Sequence, residues 1–287
     1  MDDRYSRVIE IGNWLRQLDE QERKNRIWKL GLLTGWRKLE NGSFMAPNFE
    51  RALVIERIIE LTKPRTFLEI GTGRGLGCLS AAQAGRIYDC NLHITTVDTC
   101  APDKKQNWAI QVNGENQVIN ASRNDVWSKY VNNEIIHNIL QVTGPTTKVL
   151  PRLLSQRKEF DFIFIDGGHD PYTVIHDLSY ASKLMTEIGI ILMDDFSPLD
   201  RWANGISMSI HHAKKTFNNI IVFQSEGIVF GFTENTEFPR GMVIMLNKKF
   251  EDLSINRFGL FCWKIINRAI SFGYGKRGSP IRIKSKN

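Results

Sequence analysis

Short β-branched and aromatic runs alternate with helical stretches through the middle of the chain. TFLEI, LHITTVD, NILQVTG, FDFIFID and GIILMDD are separated by segments such as TTKVLPRLLSQ and PYTVIHDLSYASKLM. Strands joined by helices run parallel and need helices on both faces, so the pattern predicts an α/β domain built on a doubly wound, mostly parallel sheet. Ahead of it, MAPNFERALVIERIIELTKP reads as a helix halted near Pro64. Apolar groups at helical spacing between Tyr5 and about Leu39 (Val8, Ile11, Leu15, Leu18, then Ile27 and Leu30) predict two further helices. Behind it, NIIVFQSEGIVFGF reads as a closing hairpin and RGMVIML as an edge strand. The Asn-rich stretch from Gln111 to Asn133 reads as a surface helix and loop.

At 287 residues the chain exceeds one small domain, yet an α/β domain with extensions accommodates it. A composition of 42% hydrophobic and 24% charged residues is that of a globular protein with a sizeable core, which argues against disorder. The start, MDDRYSRVIEIGNW, has no apolar stretch behind a basic one, and no uncharged run is long enough to span a bilayer. The expectation is a cytoplasmic protein. Cys78, Cys90, Cys100 and Cys262 show no metal-ligand spacing and read as ordinary small apolar residues. The net charge of +7 belongs to one end: from Lys248 onward ten Lys/Arg face only Glu251 and Asp252, leaving 28 basic and 29 acidic residues for the rest. The chain thus divides into an N-terminal helical extension, lid or packing arm (1–49), a main domain (50–247) and a basic amphipathic tail (248–287).

FLEIGTGRGLG places Gly71, Gly73, Gly75 and Gly77 between a strand and a helix. Glycine there lets the chain turn sharply and bring backbone against a ligand. Leu76 stands where the dinucleotide fingerprint GxGxxG needs its last glycine, and no GK[ST] follows to make a phosphate loop. The spacing suits a nucleoside without a pyrophosphate, and Asp98, ending the next strand in TTVD, can accept both hydroxyls of a ribose. Asp98 as a mere helix cap is the alternative.

Glu69-Ile-Gly71-Thr-Gly73-Arg-Gly75, Asp98, Asp166-Gly-Gly-His169 and Met193-Asp194-Asp195 together resemble a class I S-adenosylmethionine-dependent methyltransferase. More narrowly they resemble the metal-dependent small-molecule and sugar O-methyltransferases, the group of macrocin O-methyltransferase-like and cephalosporin hydroxylase-related proteins. The resemblance spans about Glu50 to Phe232. It implies a Rossmann-like seven-stranded sheet whose last strand is antiparallel, and S-adenosylmethionine as cofactor; the N-terminal helices and the basic tail lie outside it. It further implies cofactor contacts at Glu69, Gly71, Thr72, Gly73, Gly75, Asp98 and Thr99. Gly144-Pro145-Thr146, after the third strand, departs from the polar or acidic residue common there in the family.

Asp166 and the pair Asp194-Asp195 end the fourth and fifth runs, and ligands of a parallel sheet sit beyond such strand ends. Gathered carboxylates raise one another's pKa unless a counter-charge joins them. A divalent cation resolves this, and hard oxygen ligands favour Mg²⁺, Mn²⁺ or Ca²⁺ over zinc, which makes Asp166, Asp194 and Asp195 candidate metal ligands, with Mg²⁺ or Mn²⁺ the leading choice. His169, three residues beyond Asp166 across Gly-Gly, is the candidate general base for an acceptor hydroxyl. In the family, catechol-type members have lysine there and macrolide-sugar members histidine, which points toward sugars. Asp170 before Pro171 reads as a helix N-cap, Phe196 and Trp202 as either acceptor-pocket or packing aromatics, and His176 as a packing or surface residue.

The leading expectation is therefore metal-dependent methyl transfer to a hydroxyl of a small molecule or sugar. A hydroxylase-like enzyme on the same fold and a non-enzymatic membrane-surface protein are the alternatives. No aromatic-rich basic motif supports nucleic-acid binding. The tail reads as an interfacial helix touching a membrane surface, or as an apolar face packed on the domain or on a second subunit of a homo-oligomer.

Overall fold

Each of the five apolar runs is a strand of one sheet, and helices in the segments between them cover it. The computed structural model describes residues 7–10, 20–35, 37–38, 40–45, 49–196, 204–213, 217, 219–224, 228–229, 232–233 and 241–246. In chain order the elements begin β1 (Arg7–Glu10), α1 (Glu20–Thr34), β2 (Arg37–Lys38), β3 (Phe44–Met45), α2 (Phe49–Thr62), β4 (Thr66–Ile70), α3 (Leu76–Ile87) and β5 (His93–Asp98). They continue with β6 (Gln106–Val112), β7 (Glu115–Ala121), α4 (Arg123–Tyr130), α5 (Asn133–Ile136), β8 (Ile139–Thr143), α6 (Thr146–Ser155) and β9 (Phe160–Ile165). The last are α7 (Pro171–Leu184), β10 (Met185–Phe196), α8 (Asn204–Ala213), β11 (Asn219–Gln224), β12 (Ile228–Val229), β13 (Phe232–Thr233) and β14 (Gly241–Leu246).

The main sheet runs β1-β11-β14-β10-β9-β4-β5-β8. β14 pairs antiparallel with both β10 and β11, and the other pairings are parallel. The seven strands from β11 to β8 are the expected mostly parallel sheet with its last strand reversed, and β1 adds an eighth at the edge. Alternate residues of β9 feed opposite cores. Phe162 and Phe164 join residues of α1, α2 and α3 such as Ile27, Ile59 and Leu79, whereas Ile163 and Ile165 join Leu150, Leu178 and Ile210 of α6, α7 and α8. Each such fully buried side chain contributes about 1.5 to 3 kcal/mol, so burial on both faces fixes the register. Phe67 of β4 and Phe162 of β9 meet edge to face at 5.0 Å between ring centroids.

Helices α2, α6 and α7 stand where the sequence puts them, and Asp170 caps α7 by accepting from the Thr173 amide at 3.0 Å with Pro171 in the first turn. Four expectations are corrected. Residues 7–10 are a strand paired with β11, not part of a helix, because the edge of β11 offers backbone partners that outweigh the helical spacing of Val8 and Ile11. NIIVFQ pairs along its whole length with β14 rather than closing a hairpin with the residues that follow it. Gly241–Leu246 is not an edge strand but lies between β10 and β11, with all six residues buried. The Asn-rich stretch begins as a hairpin, β6–β7, whose Asn113-Gly114 turn has φ of 54° and 83°. Two positive φ values match the right-handed twist of the strands, and Asn-Gly is the dipeptide that adopts them most readily. The hairpin is held by Trp108, fully buried, whose Nε1 donates to the Leu33 carbonyl of α1 at 2.7 Å.

Ile27 and Leu30 of α1 lie in the same core as α2 and α3, so this helix is packed into the domain. Among the described residues no helix is long and apolar enough to cross a membrane. The tail 248–287 and Trp202 lie outside the described residues.

Candidate active site

The strand order reverses at β4, with β5 on one side and β9 on the other, and the crevice beyond this switch point is where open α/β sheets bind ligands. The glycine loop fills it. Gly71 has φ of 95°, and a Cβ there would lie 2.0 Å from the Asp166 carbonyl oxygen. Only glycine lets the turns after β4 and β9 touch. Gly75, φ 99°, begins α3 against the Trp127 indole, 2.2 Å from where a Cβ would stand. Gly73, φ 52°, has open space at that position and is exposed.

Asp98 ties this loop to β5. Its Oδ2 accepts from the Gly73 amide at 2.7 Å and its Oδ1 from the Cys100 amide at 2.7 Å. Thr99 beside it is exposed. Arg123, which the sequence reading missed, completes the knot. It is 3% exposed, and it donates to the Gly73 carbonyl at 3.1 Å, the Gln141 side chain at 3.1 Å and Asp98 Oδ2 at 3.3 Å. A local signal was present: Ser122 and Asp125 form a capping box, which sets Arg123 at the first position of α4.

Glu69 and Thr72 lie beneath the loop rather than on its surface. Glu69 is 1% exposed, its Oε1 accepting from the Cys78 amide at 2.9 Å and its Oε2 from Thr96 Oγ1 at 2.5 Å, while the Thr72 and Thr96 hydroxyls meet at 2.5 Å. Burial pushes the Glu69 carboxyl up to about 7, against the pull of Thr96, Cys78 and Arg123. Its visible work is to hold the start of α3 under the loop.

Asp166 follows β9, and Asp194 and Asp195 stand at the end of β10. A regular strand would send Asp194 and Asp195 to opposite faces. The register shift between Met193 and Phe196 and the φ of 54° at Asp195 break that alternation. Asp195 Oδ2 then lies 3.1 Å from His169 Nε2, and single ligand atoms of Asp166, His169 and Asp195 all fall within 4.8 Å of one another. Asp194, with a side chain 2% exposed, instead faces Arg51, whose Nε is 2.9 Å from its Oδ2. The Arg51 Nη1 also pairs with Asp166 Oδ2. Burial holds the Asp166 carboxyl well above the usual carboxylate range; Arg51 opposes this, and Asp194, Asp195 and Glu69 add to it. Arg51 is the second residue missed from sequence. It lies 115 positions before its partner, on α2, with no local pattern to mark it.

The structure thus joins His169 to two of the three candidate metal ligands and turns the third, Asp194, toward a guanidinium. A hard divalent cation fits the joined set, since Mg²⁺ is commonly held by one or two carboxylates with water and substrate oxygens completing its shell. Asp166, Gly168, His169, Val174, Met193 and Ile206 line a cleft beside it. The α8 backbone closes one wall at Gly205, where a Cβ would lie 2.2 Å from the His169 carbonyl. Phe196 is 2% exposed and packed in the core with α8, not in the cleft. His176 is a packing residue, its ring 4.8 Å from that of Tyr180 and its Nδ1 3.1 Å from Asp177.

A family model described as a methyltransferase domain matches residues 68–196, from β4 through the end of β10. A search of curated proteins finds no match. Among solved structures, the O-methyltransferase TomG of Streptomyces achromogenes, in complex with SAM, is 14% identical with a TM-score of 0.52, over 80% of this chain and 92% of that one. An O-methyltransferase from Bacillus cereus, in complex with SAH, is 14% identical with a TM-score of 0.51, over 83% of this chain and all (100%) of that one. A putative O-methyltransferase from Klebsiella pneumoniae is 16% identical with a TM-score of 0.53, over 82% and 95%. Residues 68–196, which match the methyltransferase-domain model, carry the glycine loop and all three aspartates, and the chain shares the fold of these solved structures.

Proposed function

We propose that the protein transfers a methyl group from S-adenosylmethionine to a hydroxyl of a small molecule or sugar, with Mg²⁺ or Mn²⁺ at the carboxylate cluster. The observation that carries the reading is the direct contact of two sites. Gly71, in the loop that suits a nucleoside, abuts the carbonyl of Asp166, the first member of the acidic cluster. A donor and an acceptor bound there would adjoin. The O-methyltransferase neighbours bound to SAM or SAH support the choice of donor.

S-adenosylmethionine supplies an electrophilic methyl group. A bound cation, held by Asp166 and Asp195, supplies Lewis acidity that makes an acceptor hydroxyl easier to deprotonate. The chain's own residues do the rest. The glycine loop offers backbone without Cβ atoms, and Asp98 offers carboxylate oxygens beside it. His169 takes the proton. A carboxylate oxygen only accepts, so the 3.1 Å approach of Asp195 to Nε2 favours a proton on that nitrogen and leaves the basic lone pair on Nδ1. Asp195 then orients the ring.

Calorimetry should detect S-adenosylmethionine binding, and the purified enzyme should release S-adenosylhomocysteine only when a hydroxyl acceptor is supplied. Asp98→Ala strands the Gly73 and Cys100 amides and should weaken cofactor binding by about 1 to 3 kcal/mol. Absence of binding by the wild type would reject the reading.

A further inference from the structure

We propose that Arg51 is the resident counter-cation of the carboxylate cluster and competes with a divalent cation for Asp166, so that it sets how tightly the cluster holds metal. The proposal rests on the metal-dependent reading above. Arg51 stands on α2, outside the matched methyltransferase segment, and reaches two carboxylates from different strands: Asp166 after β9 and Asp194 on β10. A guanidinium can do this because its N–H donors form a planar fork; an ammonium is a point charge.

Asp166 belongs to two sets at once. It pairs with Arg51, and it shares a 4.8 Å neighbourhood with His169 and Asp195. A positive charge already on Asp166 repels a second cation placed against the same carboxylate, and in a partly buried site that repulsion is weakly screened. The Arg51 side chain is 15% exposed and that of Asp194 is 2% exposed, so this charge is not an incidental surface pair. The arrangement has a second consequence. Without metal, Arg51 supplies a positive charge beside the buried Asp194 carboxylate, and removing one member of a buried ion pair destabilises proteins strongly. The protein is thereby folded and charge-compensated before metal arrives, and it gives up metal affinity in exchange.

The test uses the full chain and Mn²⁺ alone, without S-adenosylmethionine or acceptor. Mn²⁺ binding is measured by calorimetry and by the loss of the free-ion electron paramagnetic resonance signal, for the wild type, Arg51→Gln and Arg51→Lys. Arg51→Gln should bind Mn²⁺ more tightly, by about tenfold or more. Its thermal midpoint should fall below that of the wild type in chelator and gain more than the wild type does when Mn²⁺ is added. Arg51→Lys, which keeps the charge but cannot span both carboxylates, should bind with intermediate affinity. If Arg51→Gln does not fold even with Mn²⁺, Arg51→Lys decides, and an affinity equal to or weaker than the wild type overturns the proposal. A wild type that binds Mn²⁺ while Arg51→Gln binds no more tightly overturns the competition and leaves the metal reading standing. If no variant binds Mn²⁺, both are overturned.

Discussion

At the scale of single residues, His169 and Glu69 are two titratable groups given opposite tasks by their surroundings. His169 is partly exposed on the cleft and placed by Asp195. His169→Ala should lower turnover by about 10² to 10⁴, the usual contribution of general acid-base catalysis, while S-adenosylmethionine binding stays within a few fold. An undiminished rate in the mutant assigns the base elsewhere. Glu69 is sealed under the loop and acts on stability. Its carboxyl moves from an ordinary 4.5 to about 7 on folding, so between those values the folded state binds more protons than the unfolded chain. Stability must then fall as pH rises through that window, by an amount on the order of 3 kcal/mol for this group. Asp166 and Asp177, also pushed up by burial, act with the same sign. Glu69→Gln should therefore flatten, without abolishing, the decline measured by denaturant unfolding between pH 4.5 and 7. A slope identical to the wild type would show that Glu69 stays ionised in the folded protein.

Among the elements, two turns contain glycines at positive φ and should respond differently to alanine. Gly114, at the tip of β6–β7, has φ of 83° and open space where a Cβ would go. Gly114→Ala should cost only the backbone strain of the left-handed region, about 1 to 2 kcal/mol. Gly71 has φ of 95° and backbone 2.0 Å from the same point. Gly71→Ala must part the β4 and β9 turns as well, and should cost about 2 to 4 kcal/mol and disrupt cofactor binding. Equal losses for the two substitutions, read by chemical denaturation, would mean that the turns do not depend on that contact. The hairpin itself bears on the loop: Arg74 donates to the Asn107 carbonyl of β6 at 3.3 Å and sits 5.4 Å from the centre of the Trp108 ring, and Trp127 Nε1 donates to the Arg74 carbonyl at 3.1 Å. An element with no counterpart in the sequence reading thus buttresses the motif that reading singled out.

On the scale of the whole molecule, β4, β5, β9 and β10 bring the glycine loop, Asp98 and the acidic cluster to one edge, while α2 brings Arg51 to the same place from outside the matched segment. Activity should stop on exhaustive chelation and return with Mg²⁺ or Mn²⁺, and Asp166→Asn and Asp195→Asn should each abolish turnover while leaving S-adenosylmethionine bound. Undiminished turnover in chelator would reject metal dependence and leave His169 to act alone.

The alternation of strands and helices, the glycine loop and the aspartates at strand ends were all legible in the sequence, because each rests on a local rule. Apolar runs fix which residues are strands, positive φ fixes where glycine stands, and a parallel sheet puts every strand's carboxyl end on the same edge. The Asn113-Gly114 turn and the capping box at Ser122 follow the same kind of local rule. Other features are not local at all. The place of β14 between β10 and β11, the partnership of Arg51 with Asp166 and Asp194, and the inward turn of Glu69 toward Cys78 and Thr96 join segments far apart along the chain. Such pairings are decided by which surfaces meet when the core closes, and a charged side chain finds its partner only after packing has set the distance. The sequence by itself determined the kind of sheet and the edge where chemistry collects; the tertiary structure decided which charges face each other across it.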